Sequence, residues 1–294
     1  MRLHFYKMQI GGNSFLLIDN TENIPPKSFS SIAEKICSKR YGVGASGIIF
    51  CGDNNVIYVF DSKGKQNKNF FDALFCAARF YFDSGKITHS PDYTQKIRFT
   101  TQEGIKELDI ISSREFALNL GSPFSLLNGR LLTEDESSCI ENITLDQKTI
   151  CLSGIHIADD FLICIPGNNT SLPFSETYLK LKKNYRDKKI YLAYARQITK
   201  ESILLKTLKK GLSTCTGSAA SALVSLWYAG TSDKAAVCIF QEGPSSLWKQ
   251  QEKLSEDKDN SRKITILWDT EKNEITAIGT GGYIFEGFFD YGEN

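Results

Sequence analysis

The chain has 294 residues, 41% of them hydrophobic, which is enough for one large domain or two ordinary ones with a core that needs no covalent staples. Lys and Arg number 35 against 34 Asp and Glu, giving a net charge of +1 with the signs mixed along the chain. That balance excludes the electrostatic footprint of a nucleic-acid or anionic-membrane binder and points to small, locally polar ligands. Eight cysteines, at 37, 51, 76, 139, 151, 164, 215 and 238, form no CxxC pair and no metal-like His/Cys cluster. Reduced thiols in a cytoplasmic protein without a metal are the expectation.

In chain order, MRLHFYKMQI alternates as a strand does, unlike the apolar run of a secretion signal, and no stretch reaches the roughly 18 apolar residues of a membrane span. IGGNSFLLID (10–19) reads as a turn and a strand. NVIYVFDSKGKQNKNFFDALFCAARFYFDSG (55–85) reads as strand, polar glycine loop, helix and glycine C-cap, and QKIRFTTQEGIKELDII (95–111) as a hairpin. The plan then repeats. LSGIHIADDFLICI (152–165) is a second turn and strand, SILLKTLKKGLSTCTGSAASALVSLWYAG (202–230) a second strand, loop and helix, and KITILWDTEKNEITAIG (263–279) a second hairpin. Two α+β halves follow, each with a helix wrapped by its own sheet.

A helix start exposes backbone N–H groups without helical partners, and the macrodipole adds partial positive charge there. Two such ends facing each other would hold a carboxylate, and a thiol at one of them would have its pKa lowered. Cys215, in LSTCTGSAAS (212–221), is therefore either a proton carrier or part of a capped, closely packed helix start. Gly42, Gly44 and Gly47 fit GxGxxG, but they precede the strand GIIFC where a dinucleotide loop would follow a strand and open a helix. No nicotinamide, flavin or other cofactor site is expected, and there is no GK[ST] phosphate loop.

FYKMQIGGNSFLLID (5–19), KRYGVGASGIIF (39–50), YVFDSKG (58–64), FCAARF (75–80), NLGSP (119–123), CTGSA (215–219) and GGYIFEG (281–287) stand in the order and approximate spacing of the diaminopimelate epimerase family, which the chain resembles over nearly its whole length. The resemblance implies two pseudo-symmetric halves, each a β-barrel around a central helix, with the ligand between them. The halves would be 1–114 with 280–294, the last strand returning to the first half, and 115–279. It also allows a homodimer. Family members invert an amino-acid α-carbon without a cofactor, one thiolate removing the proton while a thiol on the other face delivers another.

At those catalytic positions this sequence departs from the pattern. Phe70-Phe71-Asp72-Ala73 falls on the first Cys-Gly-Asn-Gly, and Phe70 cannot carry a proton. The second motif aligns in two registers: matching Thr216-Gly217 puts Thr214 on the catalytic position, which is the preferred reading, whereas matching thiol to thiol selects Cys215. Asn13 matches a binding asparagine, Asp61 stands where another asparagine is expected, and Asp72, Thr216, Gly217 and Ser218 complete the candidate ligand-binding set. Gly154-Ile155-His156 replaces an Asn-Pro-His turn, and Leu205-Lys206-Thr207 falls where a Glu-Arg-Gly segment helps bind substrate. His156 is a candidate replacement acid/base. Residues 241–263, with Leu247 and Trp248, read as an exposed charged insertion.

Two functions stay open on this reading. One is a non-catalytic paralogue that binds a small amino acid or carboxylate. The other is a divergent cofactor-independent isomerase using Cys215, Thr214, Asp72 or His156.

Overall fold

A computed structural model describes residues 1–19, 24–66, 70–87, 96–126, 140–145, 148–165, 190–197, 202–207, 216–217, 219, 222–223, 235–240 and 263–292. The fold is sheet-rich α+β. The chain divides into two compact units, Met1–Leu118 with Ile278–Asn294, and Asn119–Ala277. Among the described residues, no helix is long and apolar enough to cross a membrane.

The first unit is built on a five-stranded sheet. It contains β1 (Arg2–Ile10), β2 (Asn13–Ile18), β3 (Gly47–Cys51) and β4 (Ile57–Asp61), and it takes up the chain's last strand at its other edge. β1 runs antiparallel to β2, β2 parallel to β3, and β3 antiparallel to β4. The parallel step is made by the crossover helix α1 (Phe29–Ile36), which the motifs do not announce. Its buried residues Phe29, Ile32, Ala33 and Ile36 recur at helical spacing. They pack with Leu16, Ile18, Ile48 and Phe50 on one face of the sheet, Phe29 stacking on Phe50 at 4.1 Å between ring centres. Burying each large side chain there stabilises the fold by about 1.5–3 kcal/mol.

Helix α2 (Phe71–Asp83) is buried nearly all round, from Asp72 and Ala73 to Phe80 and Tyr81, and packs against β1 and β2. It stops at Gly85, whose φ of +69° suits a residue without Cβ. The Gly85 amide donates to the Phe82 carbonyl and the Lys86 amide to the Tyr81 carbonyl, the paired bonds that satisfy a helix's last carbonyls. An antiparallel hairpin of β5 (Lys96–Thr101) and β6 (Gly104–Ile110) follows, and β7 (Phe116–Gly121) pairs with β6.

The second unit repeats the pairing pattern. After β8 (Phe124–Ser125) and β9 (Ile140–Leu145), both paired with β10 (Lys148–Ile157), β10 runs antiparallel to β11 (Asp159–Ile165). β11 is parallel to β12 (Ile190–Gln197), and β12 is antiparallel to β13 (Ser202–Thr207). This is the antiparallel, parallel, antiparallel order of β1 to β4. β14 (Ala235–Phe240) then pairs parallel with β13 and antiparallel with β15 (Lys263–Asp269), which neighbours β16 (Glu274–Gly279). The last strand, β17 (Gly282–Asp290), pairs with β1 and so returns to the first unit. Gly281 makes that return possible, because a Cβ there would stand 2.7 Å from the Cys76 Cα of α2.

One local expectation is corrected. Gly154-Ile155-His156 forms no turn but lies within β10, and the chain reverses at Ala158, with φ +57°. The small side of Gly154 faces Leu126, whose Cβ would lie 2.9 Å from an added Cβ.

Candidate functional site

The start of α2 is where the first unit gathers polar groups. Phe70 is the N-cap residue, its carbonyl accepting from the Ala73 and Leu74 amides, and no side chain caps the helix. Its ring is only 7% exposed and stands beside Ile57, Val59, Thr101 and Glu103 at a shallow pocket. In the alignment read from the sequence, this apolar ring falls on the first Cys of the family pattern.

Two residues further on, Asp72 is buried at 1% exposure. Its Oδ2 accepts a hydrogen bond from Asn13 Nδ2 at 2.8 Å, and Asn13 Oδ1 accepts one from Ser46 Oγ at 3.0 Å. Two candidate ligand-binding residues are thus brought together, but they bond to each other. Ser46, absent from the candidate set, is the third member. Its place just before β3, which lies beside β2, puts it next to Asn13, and the Ser46 amide bonds the Ser14 carbonyl at 2.8 Å.

Asp61 is used differently again. Its Oδ1 accepts from the Lys63 amide at 2.8 Å and the Lys65 amide at 2.9 Å, so the carboxylate closes the turn at the end of β4. Ser30 Oγ donates to the Gly64 carbonyl at 2.8 Å and fastens that turn to α1.

Three of the described thiols are poor proton carriers. Cys37, Cys51, Cys76 and Cys164 are buried thiols. Burial, reinforced by Asp61, pushes Cys37 up to about 12. Burial, with Asp19 adding to it, does the same to Cys51, and burial raises Cys76 further, Asp72 contributing. A catalytic thiol needs the opposite shift. Among the described residues, no group of three or more His, Cys, Asp or Glu is placed to hold a metal ion.

In the second unit Thr216 and Gly217 are helical and buried, as are Ala219, Ala222 and Leu223. Thr214, Cys215 and Ser218 lie outside the described residues, as do 241–262 with Leu247 and Trp248. Leu205, Lys206 and Thr207 are the end of β13. His156 on β10 faces Asp160 on β11, Nδ1 to Oδ1 at 2.7 Å, and the side chains are 44% and 32% exposed. The Phe124 ring stands edge-on to the imidazole, 6.3 Å between ring centres. Asp160 was not among the sequence candidates, and its signal is its place directly across the hairpin from His156.

The glycines of the GxGxxG match have structural roles. A Cβ on Gly42 would lie 2.3 Å from the Lys35 carbonyl oxygen, one on Gly47 would lie 2.5 Å from that of Phe60, and Gly44 has φ +76°. They let the loop press on α1 and β4.

No protein-family model matches the chain. In sequence it is similar to the chloroplastic diaminopimelate epimerase of Oryza sativa subsp. japonica, 31% identical over 128 residues, which are 41% of this chain and 34% of that protein. It is 32% identical over 138 residues to the diaminopimelate epimerase of a Cyanothece strain, covering 45% of this chain and 48% of that one. These matches therefore span about a third to a half of the relatives' length. Diaminopimelate epimerase 1 of a Nostoc strain is 21% identical over 264 residues, 85% of this chain and 93% of its own. In fold, a PhzF-family phenazine biosynthesis protein of Bacillus anthracis superposes with TM-score 0.61 at 12% identity, covering 99% of this chain and 100% of its own. A hydroxyproline epimerase of Agrobacterium vitis, solved with trans-4-hydroxy-L-proline, does so with TM-score 0.60 at 11% identity over 98% and 92%. In sequence the chain is similar to diaminopimelate epimerases, and its fold is that of the PhzF-family protein and the hydroxyproline epimerase.

Proposed function

We propose that this protein binds a small amino acid or carboxylate in the place where its relatives bind substrate, and that it does not perform two-thiol inversion. The observation that carries this reading is Phe70, a buried aromatic ring at the N-cap of α2. Inversion needs a proton donor opposite the base, and a phenyl ring has no proton to give while it fills the space a thiol would use. The reading takes each half, 1–114 with 280–294 and 115–279, as a β-barrel closed around its helix. It takes the protein as cytoplasmic, with a homodimer as its assembly.

A second reading rests on His156 and Asp160. A carboxylate at Nδ1 fixes the imidazole orientation and leaves Nε2 available for a proton, an arrangement suited to a one-sided proton shift. The test is incubation in deuterium oxide with a panel of amino acids that includes diaminopimelate, followed by mass and chirality analysis. Binding without exchange is the expected result. Deuterium entry without inversion would favour the second reading, and efficient inversion of diaminopimelate would overturn the first.

A further inference from the structure

We infer that the outer edge of β17 is where two copies of this chain pair, strand against strand across a two-fold axis at Gly287. The inference goes beyond the ligand-binding reading and gives a surface to the homodimer taken with it. β17 ends the first unit's sheet, and among the described residues it is paired on one side only, with β1. Such an edge offers backbone groups to a further strand, and soluble proteins usually blunt it with lysine, proline or a cover. Here it is aromatic instead: Tyr283, Ile284, Phe285 and Phe288 are 42%, 50%, 46% and 60% exposed. Large apolar side chains carry roughly 150–250 Å² each, so these, about half exposed, leave on the order of 400 Å², a patch of the size that marks an interaction surface. That is about half of the roughly 800 Å² that each partner gives to a stable dimer, and the paired backbone with its charged flanks supplies more.

The strand's own sequence selects a second copy as the occupant. β1 and β17 shift register between Lys7 and Met8, opposite Phe285 and Tyr283, and this irregularity leaves Phe285 to Asp290 as the regular segment. Within it, Gly287 brings no side chain to the axis. Antiparallel pairing about Gly287 sets Phe285 across from Phe289 of the partner subunit and Glu286 across from Phe288 of the partner subunit. The Arg2 guanidinium lies 4.3 Å over the Phe288 ring, and the Glu286 side chain is 64% exposed with His4 3.5 Å away. Each copy's Glu286 therefore comes to the partner's Arg2, twice by symmetry. Phenyl rings meet on the opposite face, where Phe285 stands edge-on to Phe5 at 5.9 Å. Opposite charges and apolar rings thus fall on matching positions of one strand, a complementarity that a strand of unrelated sequence would not supply.

Sedimentation velocity of the wild type, Arg2→Glu and Glu286→Arg tests the inference. The wild type should dimerise, and each variant alone should do so at least about tenfold more weakly, because two like-charge pairs then face each other. An equimolar mixture of the two variants should recover the dimer, since one Glu–Arg pair returns as in the wild type and the other with its signs exchanged. Phe288→Ser, which keeps both charges, should weaken the dimer as well and reports on the surface if a charge variant does not fold. A wild-type dimer that all three variants leave intact lies on another surface and overturns the inference alone, as does a mixture that associates no better than the separate variants. A wild type that stays monomeric at high micromolar concentration overturns it together with the homodimer. Neither amino-acid binding nor deuterium exchange enters these outcomes, so failure here is distinct from failure of the proposed function.

Discussion

His156 and Asp160 are direct cross-strand partners on β10 and β11, joined Nδ1 to Oδ1 at 2.7 Å while both side chains remain partly open to water. Because water competes for both groups, the pair contributes little to the fold. Asp160→Ala should cost no more than about 1 kcal/mol in urea denaturation. A loss of several kcal/mol would mean that the pair is a structural keystone of the hairpin.

Asn13 has a different standing, because its partner Asp72 is buried. Asn13→Ala removes a donor from a carboxylate that water barely reaches, and a charged group deprived of such a bond loses about 1.5–3 kcal/mol. Asp72→Asn should relieve part of that penalty, so the double variant should be more stable than the two single losses added together. Strict additivity in chemical denaturation would show that the two residues are not coupled.

Gly42→Ala places a methyl 2.3 Å from the Lys35 carbonyl oxygen, and the obstacle is backbone that cannot swing aside. The loop or α1 must move, at a cost of about 1–3 kcal/mol or more. Gly85→Ala meets no atom within 4 Å and suffers only from its φ of +69°, a penalty of about 1–2 kcal/mol. Thermal denaturation of the two variants should rank Gly42→Ala below Gly85→Ala, and the reverse order would refute the close approach.

Cys37 and Cys51 hold their protons more tightly in the fold than out of it, because burial lifts both from 9.0 to about 12. Their contribution to stability is whole below pH 9.0 and is lost as pH climbs towards about 12, since the unfolded chain ionises first. Cys37→Ala and Cys51→Ala variants should each show a shallower alkaline fall in stability than the wild type. At neutral pH, a thiol reagent should modify Cys37, Cys51 and Cys76 only after denaturant is added. Prompt labelling of any of the three in the native protein would contradict the burial.

The sequence by itself determined the repeated plan. Strand alternation, the helical spacing within FFDALFCAARF and the glycine that ends α2 are set by residues a few positions apart, and β1 to β4 and β10 to β13 follow the same order of pairing. It also set Phe70 at the N-cap of α2, because the polar loop and the apolar run after it fix where that helix begins. Only the tertiary structure decided what the polar candidates do. Asn13 and Asp72 are 59 residues apart, and their bond depends on α2 lying against β1 and β2. Asp61 turns back on its own loop because Gly64 is fastened to Ser30 of a helix that the motifs do not mark. A side chain's type can be read where it stands, but its partner is chosen by the register and packing of elements far away in the chain. For that reason three residues with the chemistry of ligand holders, Asn13, Asp61 and Asp72, have hydrogen-bond partners within the protein itself.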